Sequence, residues 1–176
     1  MRATSLTVGS AALAATLLLT ACGGGDSGGE AEDGGQDTSA CVLDEVGVEV
    51  GPANAAPVAG DTGNIPVTVT NQGAECTLDG FPTVGLQADA GSVTVPEEEA
   101  AQAQKLTLAE GTAATFTITY VRGETGGAGS LDVTRLKIGL PGAPQTRGFA
   151  WSYGPVVLVE GDAPEASVGA FQQAGD

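Results

Sequence analysis

The sequence predicts an antiparallel β-sandwich, immunoglobulin-like in size, with about seven to nine strands behind a disordered N-terminal tether. From residue 41 onward apolar and polar residues alternate, as in the run containing Val46, Val48 and Val50. A period of two is typical of strands that bury one face. Turns containing Gly, Asn and Asp separate the runs, and only residues 97–104 have the composition of a short helix. These observations indicate an all-β domain.

The same alternation predicts the other strands of a sandwich domain that we place at residues 41–160. Phe116, Ile118 and Tyr120 alternate with threonines, as expected for a half-buried strand. Further strands are predicted at residues 67–69, 83–88, 92–95, 105–108, 131–140, 147–153 and 155–160.

Two local features qualify this pattern. The inward phase changes near Thr134 and Arg135, which predicts a β-bulge there. Residues 161–176 are rich in Ala, Gly and acidic residues, so we expect a loosely ordered tail. Val168 and Phe171 are the side chains in it that would dock on the sandwich.

Residues 1–21 have the pattern of an export signal peptide. Arg2 supplies a positive charge, and the apolar run that follows is shorter than the about 20 residues that cross a bilayer. The run ends in Leu19-Thr20-Ala21-Cys22, which resembles the lipobox of bacterial lipoproteins. That resemblance implies cleavage before Cys22, acylation of its sulfur and new N-terminus, and anchoring in the cell membrane on the extracytoplasmic side. The alternative is an ordinary cleaved signal and a free secreted protein.

Residues 22–40 are expected to form a disordered tether that begins at the lipidated Cys22. Positions 23–39 contain seven Gly and five acidic residues and almost nothing apolar. Such a segment buries too little surface to offset the entropy lost on ordering. We interpret it as a spacer that holds the domain off the membrane.

The net charge and the lack of histidine reduce the number of possible partners and reactions. The chain of 176 residues has 22 Asp and Glu against 6 Lys and Arg, a net charge of −16, and no His. Nucleic acid is therefore disfavoured as a partner, because phosphate affinity needs clustered Lys and Arg. Without His we predict no metal, no cofactor and no catalysis by a Ser–His–Asp triad. Carboxylates alone still allow glycoside hydrolysis.

Cys41 and Cys76 remain once Cys22 is assigned to the lipid. In an exported chain such a pair is expected to form a disulfide. Closing about 35 residues would stabilise the fold by about 4 kcal/mol on the chain-entropy model. The alternative is a redox-active or metal-binding pair, which the lack of C-x-x-C spacing and of His disfavours.

The segment N-x-G-x-x-C-T-L-x-G-F-P, from Asn71 to Pro82, carries a family resemblance. With Cys41 before it and an L-x-x-G-x-x-A motif at residues 108–114, it resembles exported actinobacterial proteins of the domain-of-unknown-function 4232 family. The resemblance covers roughly residues 41–160. It implies a secreted or lipid-anchored β-sandwich with the first disulfide, and it implies no activity. A second Cys pair carried by many members is missing from this chain.

The motif also has a structural explanation of its own. Gly80 is suited to a positive φ after a strand, and Phe81 is suited to fill the core beside the disulfide. The functional alternative is that Asn71 or Asp79 contacts a ligand.

Phe149, Trp151 and Tyr153 form the clearest candidate for a recognition surface. Their alternate spacing predicts that all three lie on one face of a strand. Such a row is either part of the core or an exposed platform for a ligand.

The sequence therefore predicts a lipid-anchored extracytoplasmic module without enzymatic activity. Its partners would be the membrane, through Cys22, and an envelope protein or wall ligand. One alternative is a hydrolase of the cell wall or of glycans that uses carboxylates. A purely structural envelope protein is another.

Overall fold

A computed structural model describes residues 38–54 and 56–175 of the chain. The predicted signal peptide, Cys22 and most of the predicted tether lie outside the described residues. In the described part, no helix is long and apolar enough to span a bilayer.

The described residues form an all-β domain in which two short 3-10 helices, Leu43–Glu45 and Glu160–Asp162, are the helical elements. The strands are β1 (Val46–Val50), β2 (Thr62–Asn71), β3 (Cys76–Leu78), β4 (Thr83–Ala88), β5 (Gly91–Thr94), β6 (Leu106–Leu108), β7 (Ala113–Val121), β8 (Ser130–Leu131), β9 (Val133–Gly139), β10 (Thr146–Ala150), β11 (Val156–Val159), β12 (Ala163–Pro164), β13 (Ala166–Val168) and β14 (Gln172–Gln173).

The first large sheet has the order β1-β2-β7-β13, and β14 also pairs with β7. Its centre is the long antiparallel pair of β2 and β7, in which Ile65 lies opposite Ile118. Both strands alternate as predicted, because their Ile and Phe side chains and those of Val67 and Val69 are buried, while their threonines are half-buried or exposed. This alternation commits one face of the sheet to the core.

The second large sheet has the order β10-β9-β4-β5 and is antiparallel throughout. Between Gln87 and Ala88 the register shifts, so that Gln87 pairs with Arg135 and Ala88 pairs with Val133. Thr134 is the additional residue on β9, which confirms the bulge predicted at this position.

Buried side chains from both large sheets belong to one hydrophobic cluster, so the sheets enclose a single core as a sandwich. Two small sheets, β12-β11-β8 and β3-β6, complete the domain. The predicted fold class, an antiparallel β-sandwich, is confirmed.

Residues 97–104, whose composition allows a short helix, do not form one. Glu98 N–H instead donates to the carbonyl of Val168, and Val168 N–H donates to the carbonyl of Pro96, both at 2.9 Å. A segment this short has little helical stability of its own, so its backbone pairs with the neighbouring strand.

The prediction of a loosely ordered tail at 161–176 is wrong for its described residues. The tail adds β13 and β14 to the open edge of β7, where Val168 pairs with Ile118 and Gln172 pairs with Thr115. Val168 and Phe171 are buried, so the predicted docking of these two side chains is confirmed. The sandwich thus continues past residue 160, because pairing satisfies an edge that would otherwise stay open.

Candidate functional site

The aromatic residues predicted to form one row are divided between two environments. Phe149 lies in β10, opposite Leu136, and is half-buried. The strand ends at Ala150, and Trp151 N–H donates to the carbonyl of Thr134 at the bulge, at 3.1 Å. Trp151 and Tyr153 therefore follow the strand, and the prediction that all three share one strand face is wrong.

Trp151 belongs to the core. Its side chain is 8% exposed and packs edge-to-face against Tyr120 and Tyr153, with ring centroids 5.3 Å and 4.9 Å away. Its indole N–H donates to the carbonyl of Gly154 at 2.5 Å. Because a buried Trp needs a partner for its N–H, this bond fixes the ring in the cluster.

Tyr153 is half-buried and forms a wall of a cleft. Its hydroxyl donates to the carbonyl of Gly51 at 2.8 Å, and Tyr120 hydroxyl donates to the carbonyl of Tyr153 at 2.9 Å. The two phenols thus connect the segment after β10 to the segment after β1 and to the end of β7.

Both phenols have a raised pKa. Burial raises the pKa of Tyr120, an effect that the positive charge of Arg122 opposes and that Tyr153 reinforces. Burial also raises the pKa of Tyr153. Both hydroxyls are therefore neutral hydrogen-bonding groups near pH 7.

The cleft has a volume of about 410 Å³ and lies between the loop after β1 and the segment after β10. Tyr120, Arg122, Ser152 and Tyr153 supply its polar groups. The rest of the lining is apolar or backbone and includes Val50, Pro52, Ala53, Ala56 and Pro57. A concave site with a few convergent polar groups is the usual form of a small-ligand site.

Arg122 is the charged residue of this lining, and no pattern in the sequence marks it. Its Nη1 donates to the carbonyls of Ala56 and Pro57, at 2.7 Å and 2.9 Å. Its backbone is held as well, since its N–H donates to the carbonyl of Asp61 and its carbonyl accepts from Gly60 N–H. Arg122 therefore fixes the loop that forms one wall of the cleft.

The disulfide between Cys41 and Cys76 is present, as predicted, with an S–S distance of 2.08 Å. Backbone hydrogen bonds flank it, from Cys41 N–H to the carbonyl of Thr77 and from Thr77 N–H to the carbonyl of Ser39, both at 2.9 Å. The chain is thus attached to β3 at the point where it enters the sandwich.

Asn71 has a structural role. Its side-chain amide donates to the carbonyls of Ala74 and Leu108 at 2.8 Å and 2.9 Å, and its Oδ1 accepts from Gly73 N–H at 3.0 Å. The side chain is 1% exposed, whereas Asp79 is exposed. The amide therefore holds two loops together.

Gly80 has a φ of +121°, which confirms the positive φ predicted for it. Phe81 is half-buried and stands outside the hydrophobic cluster, so its predicted place in the core is wrong. The next residue, Pro82, is buried instead of Phe81. Both residues lie between the turn at Gly80 and the start of β4.

The cleft and the disulfide lie at opposite ends of β2. Tyr120 pairs with Gly63 at the start of β2, which places the cleft at that end. Asn71, the last residue of β2, bonds to Leu108, which pairs with Cys76. A strand rises about 3.3 Å per residue, so the two ends lie about 30 Å apart.

The described residues contain no group of three or more His, Cys, Asp or Glu side chains placed to hold a metal ion. Cys22 lies outside the described residues, so its predicted lipidation stays a prediction.

The fold and the Cys41–Cys76 disulfide define a class of protein: a disulfide-linked, all-β sandwich domain with a cleft at the end opposite the disulfide. A sequence model of the family described as "Domain of unknown function (DUF4232)" matches residues 41–172. The chain belongs to this family, as the motif from Asn71 to Pro82 indicated. No curated protein matches the chain.

Proposed function

We propose that the chain is a lipid-anchored module of the cell envelope that binds an envelope protein or a wall ligand through the cleft. The observation that carries the proposal is the position of the cleft, at the end of β2 opposite the disulfide. A tether that enters the sandwich beside Cys41 leaves the cleft end of the domain free for a partner.

The anchor is proposed from the sequence before the domain. Leu19-Thr20-Ala21-Cys22 closes an apolar run and is followed by Gly-rich acidic residues. Two or more acyl chains at Cys22 would give stable membrane attachment. Replacing Cys22 with Ser is expected to release the protein from membranes or stall its processing. A Cys22→Ser protein that still fractionates with membranes as the wild type does would contradict the anchor.

The lining of the cleft favours binding over hydrolysis by carboxylates. Among the described residues that line it there is no Asp or Glu, and Arg122 is its charged group. A glycoside hydrolase of the usual kind needs two carboxyl groups on either side of the scissile bond. Tyr153 and the prolines instead offer surface for packing and hydrogen bonding.

A pull-down from envelope extracts with the full chain tests the binding function. Ser152 is exposed in the cleft, so Ser152→Trp fills the cleft without touching the core. Glu75 is exposed at the opposite end, which makes Glu75→Trp the matched control. We expect Ser152→Trp to lose a partner that wild type and Glu75→Trp both retain.

Three outcomes would contradict this function. Retention of the partner by Ser152→Trp would place binding elsewhere. Turnover of a wall substrate without retention would favour the hydrolase. No specific partner for any variant would favour a purely structural protein.

A further inference from the structure

We propose that the cleft takes a ligand with a carboxylate next to a compact apolar group, and that Arg122 receives the carboxylate. This inference rests on the proposed function and names the chemistry of the ligand that the cleft would bind.

Part of the Arg122 guanidinium is unused. Both hydrogen bonds of its side chain come from Nη1, to the carbonyls of Ala56 and Pro57. Within the described part of the chain, Nε and Nη2 make no hydrogen bond. A guanidinium offers five donors in a rigid fork, and an edge with two parallel N–H groups matches a carboxylate. The Nη1 bonds orient Arg122, so little further ordering of the side chain is needed on binding.

The charge of this cleft differs from that of the whole chain. The chain carries a net charge of −16, so its general field repels carboxylates. In the lining of this cleft the charged group is a cation, and the neighbouring side chains are apolar or neutral. The cleft that lies along Val46–Val50 contains Asp44 and Glu49 beside Arg147, so its cation has acidic neighbours. Arg122 also borders a second cleft, which contains Glu124, so the cleft beside Tyr153, whose lining has no Asp or Glu, is the side of Arg122 that favours an anion.

Gly154 lies against the guanidinium of Arg122. Gly154 has a φ of +87°, and a Cβ built there would lie 2.8 Å from Nε and 3.4 Å from Nη2 of Arg122. A side chain at this position would crowd the two unused nitrogens, and glycine avoids that contact. Tyr153, Pro52 and Pro57 supply apolar surface in the same cleft. A carboxylate bound at Arg122 thus has an apolar wall within reach of its attached group.

Benzoate and benzamide test the inference, because they share a shape and differ in charge. The full chain in detergent is labelled with ¹⁵N, and the arginine Nε–H and backbone signals are followed during titration. We expect benzoate to shift the Nε–H of Arg122 and the amides of Ser152 and Tyr153 in a saturable way. Benzamide is expected to bind about tenfold or more weakly, since it lacks the charge-assisted bonds.

Matched variants assign the effect to Arg122. Arg122→Gln is expected to weaken benzoate binding about tenfold or more, whereas Arg147→Gln is expected to leave it within about twofold. Arg147 is a suitable control because it also donates to backbone carbonyls, those of Val46 and Leu43, away from this cleft. If Arg122→Gln fails to fold, the comparison of benzoate with benzamide on the wild type decides.

The results separate the ligand class from the binding function. Equal binding of benzoate and benzamide, or unchanged benzoate binding by a folded Arg122→Gln protein, would overturn the carboxylate proposal. Lack of saturation by benzoate at tens of millimolar would overturn it as well. Each of these results leaves the pull-down with Ser152→Trp as an independent test of the cleft.

Discussion

The phenol of Tyr153 donates to the backbone carbonyl of Gly51 at 2.8 Å, across 102 residues of sequence. Tyr153 lies shortly after β10, an edge strand of the second large sheet. Gly51 directly follows β1, an edge strand of the first. The bond therefore joins the two sheets at the cleft and sets the distance between its walls.

Replacing Tyr153 with Phe removes this bond and keeps the ring. We expect the free energy of unfolding to fall by about 1 kcal/mol, the usual net value of one hydrogen bond. Denaturation in urea measures it, with the exposed neighbour Ser152→Ala as the control within about 0.5 kcal/mol of wild type. A Tyr153→Phe protein as stable as wild type would show that the bond does not hold the cleft.

Ionisation of the tyrosines reports on the site alone, because Tyr120 and Tyr153 are the only two tyrosines in the chain. Burial raises the pKa of both, so absorbance of the phenolate is expected to appear above the ordinary value near 10. In urea the same titration should return to about 10.

The raised pKa values also predict how stability depends on pH. Above pH about 10 the unfolded chain loses phenol protons that the native state retains, so the free energy of unfolding falls as pH rises through the native pKa values. Their contribution is fully present below that range. Equal titration curves for the folded and unfolded chain would contradict the burial of these phenols.

Gly63 leaves room for the ring of Tyr120. A Cβ built at Gly63 would lie 2.4 Å from Cε1 and 2.7 Å from Cζ of that ring. Gly63→Ala is therefore expected to displace Tyr120 and destabilise the fold by about 1–3 kcal/mol, as overpacking does. Gly85→Ala is the control, since a Cβ there would meet its nearest atom at 3.7 Å. The fluorescence of Trp151, which packs on Tyr120, should change in the first variant; equal stability of both would refute the close approach.

Asn71 should contribute more to stability than Asp79, which belongs to the same motif. Asn71→Ala leaves the carbonyls of Ala74 and Leu108 without their donor, so we expect a loss of about 2–4 kcal/mol. Asp79 is exposed, and Asp79→Ala should change stability by less than about 0.5 kcal/mol. Thermal denaturation compares the two, and similar effects would argue against a structural role for the amide.

The regular strands of the fold can be predicted from the alternation of apolar and polar residues. The strand predicted at residues 83–88 is observed as Thr83–Ala88, and the bulge falls at Thr134. Alternation also extended β10 too far, because it continues through Tyr153 while the backbone of Trp151 turns to bond with Thr134. The ordering of the tail was missed because it depends on pairing with the edge of β7, which composition does not show.

The cleft itself could be predicted only in part. Tyr153 was singled out by its aromatic character, whereas Arg122 is a lone cation after a strand and has no pattern around it. Its role comes from two carbonyls more than sixty residues away in sequence, at Ala56 and Pro57. A contact of that kind is set by the packing of the loops, so it becomes visible only in the folded chain.

Photo-crosslinking in living cells tests the central claim, that the cleft end of the sandwich is the binding surface. A photoreactive amino acid is placed at Ser152, in the cleft, or at Glu75, near the disulfide, both exposed positions. We expect a discrete crosslinked product from Ser152 and none from Glu75. A product from Glu75 alone, equal products from both positions, or no product from Ser152 would contradict the claim.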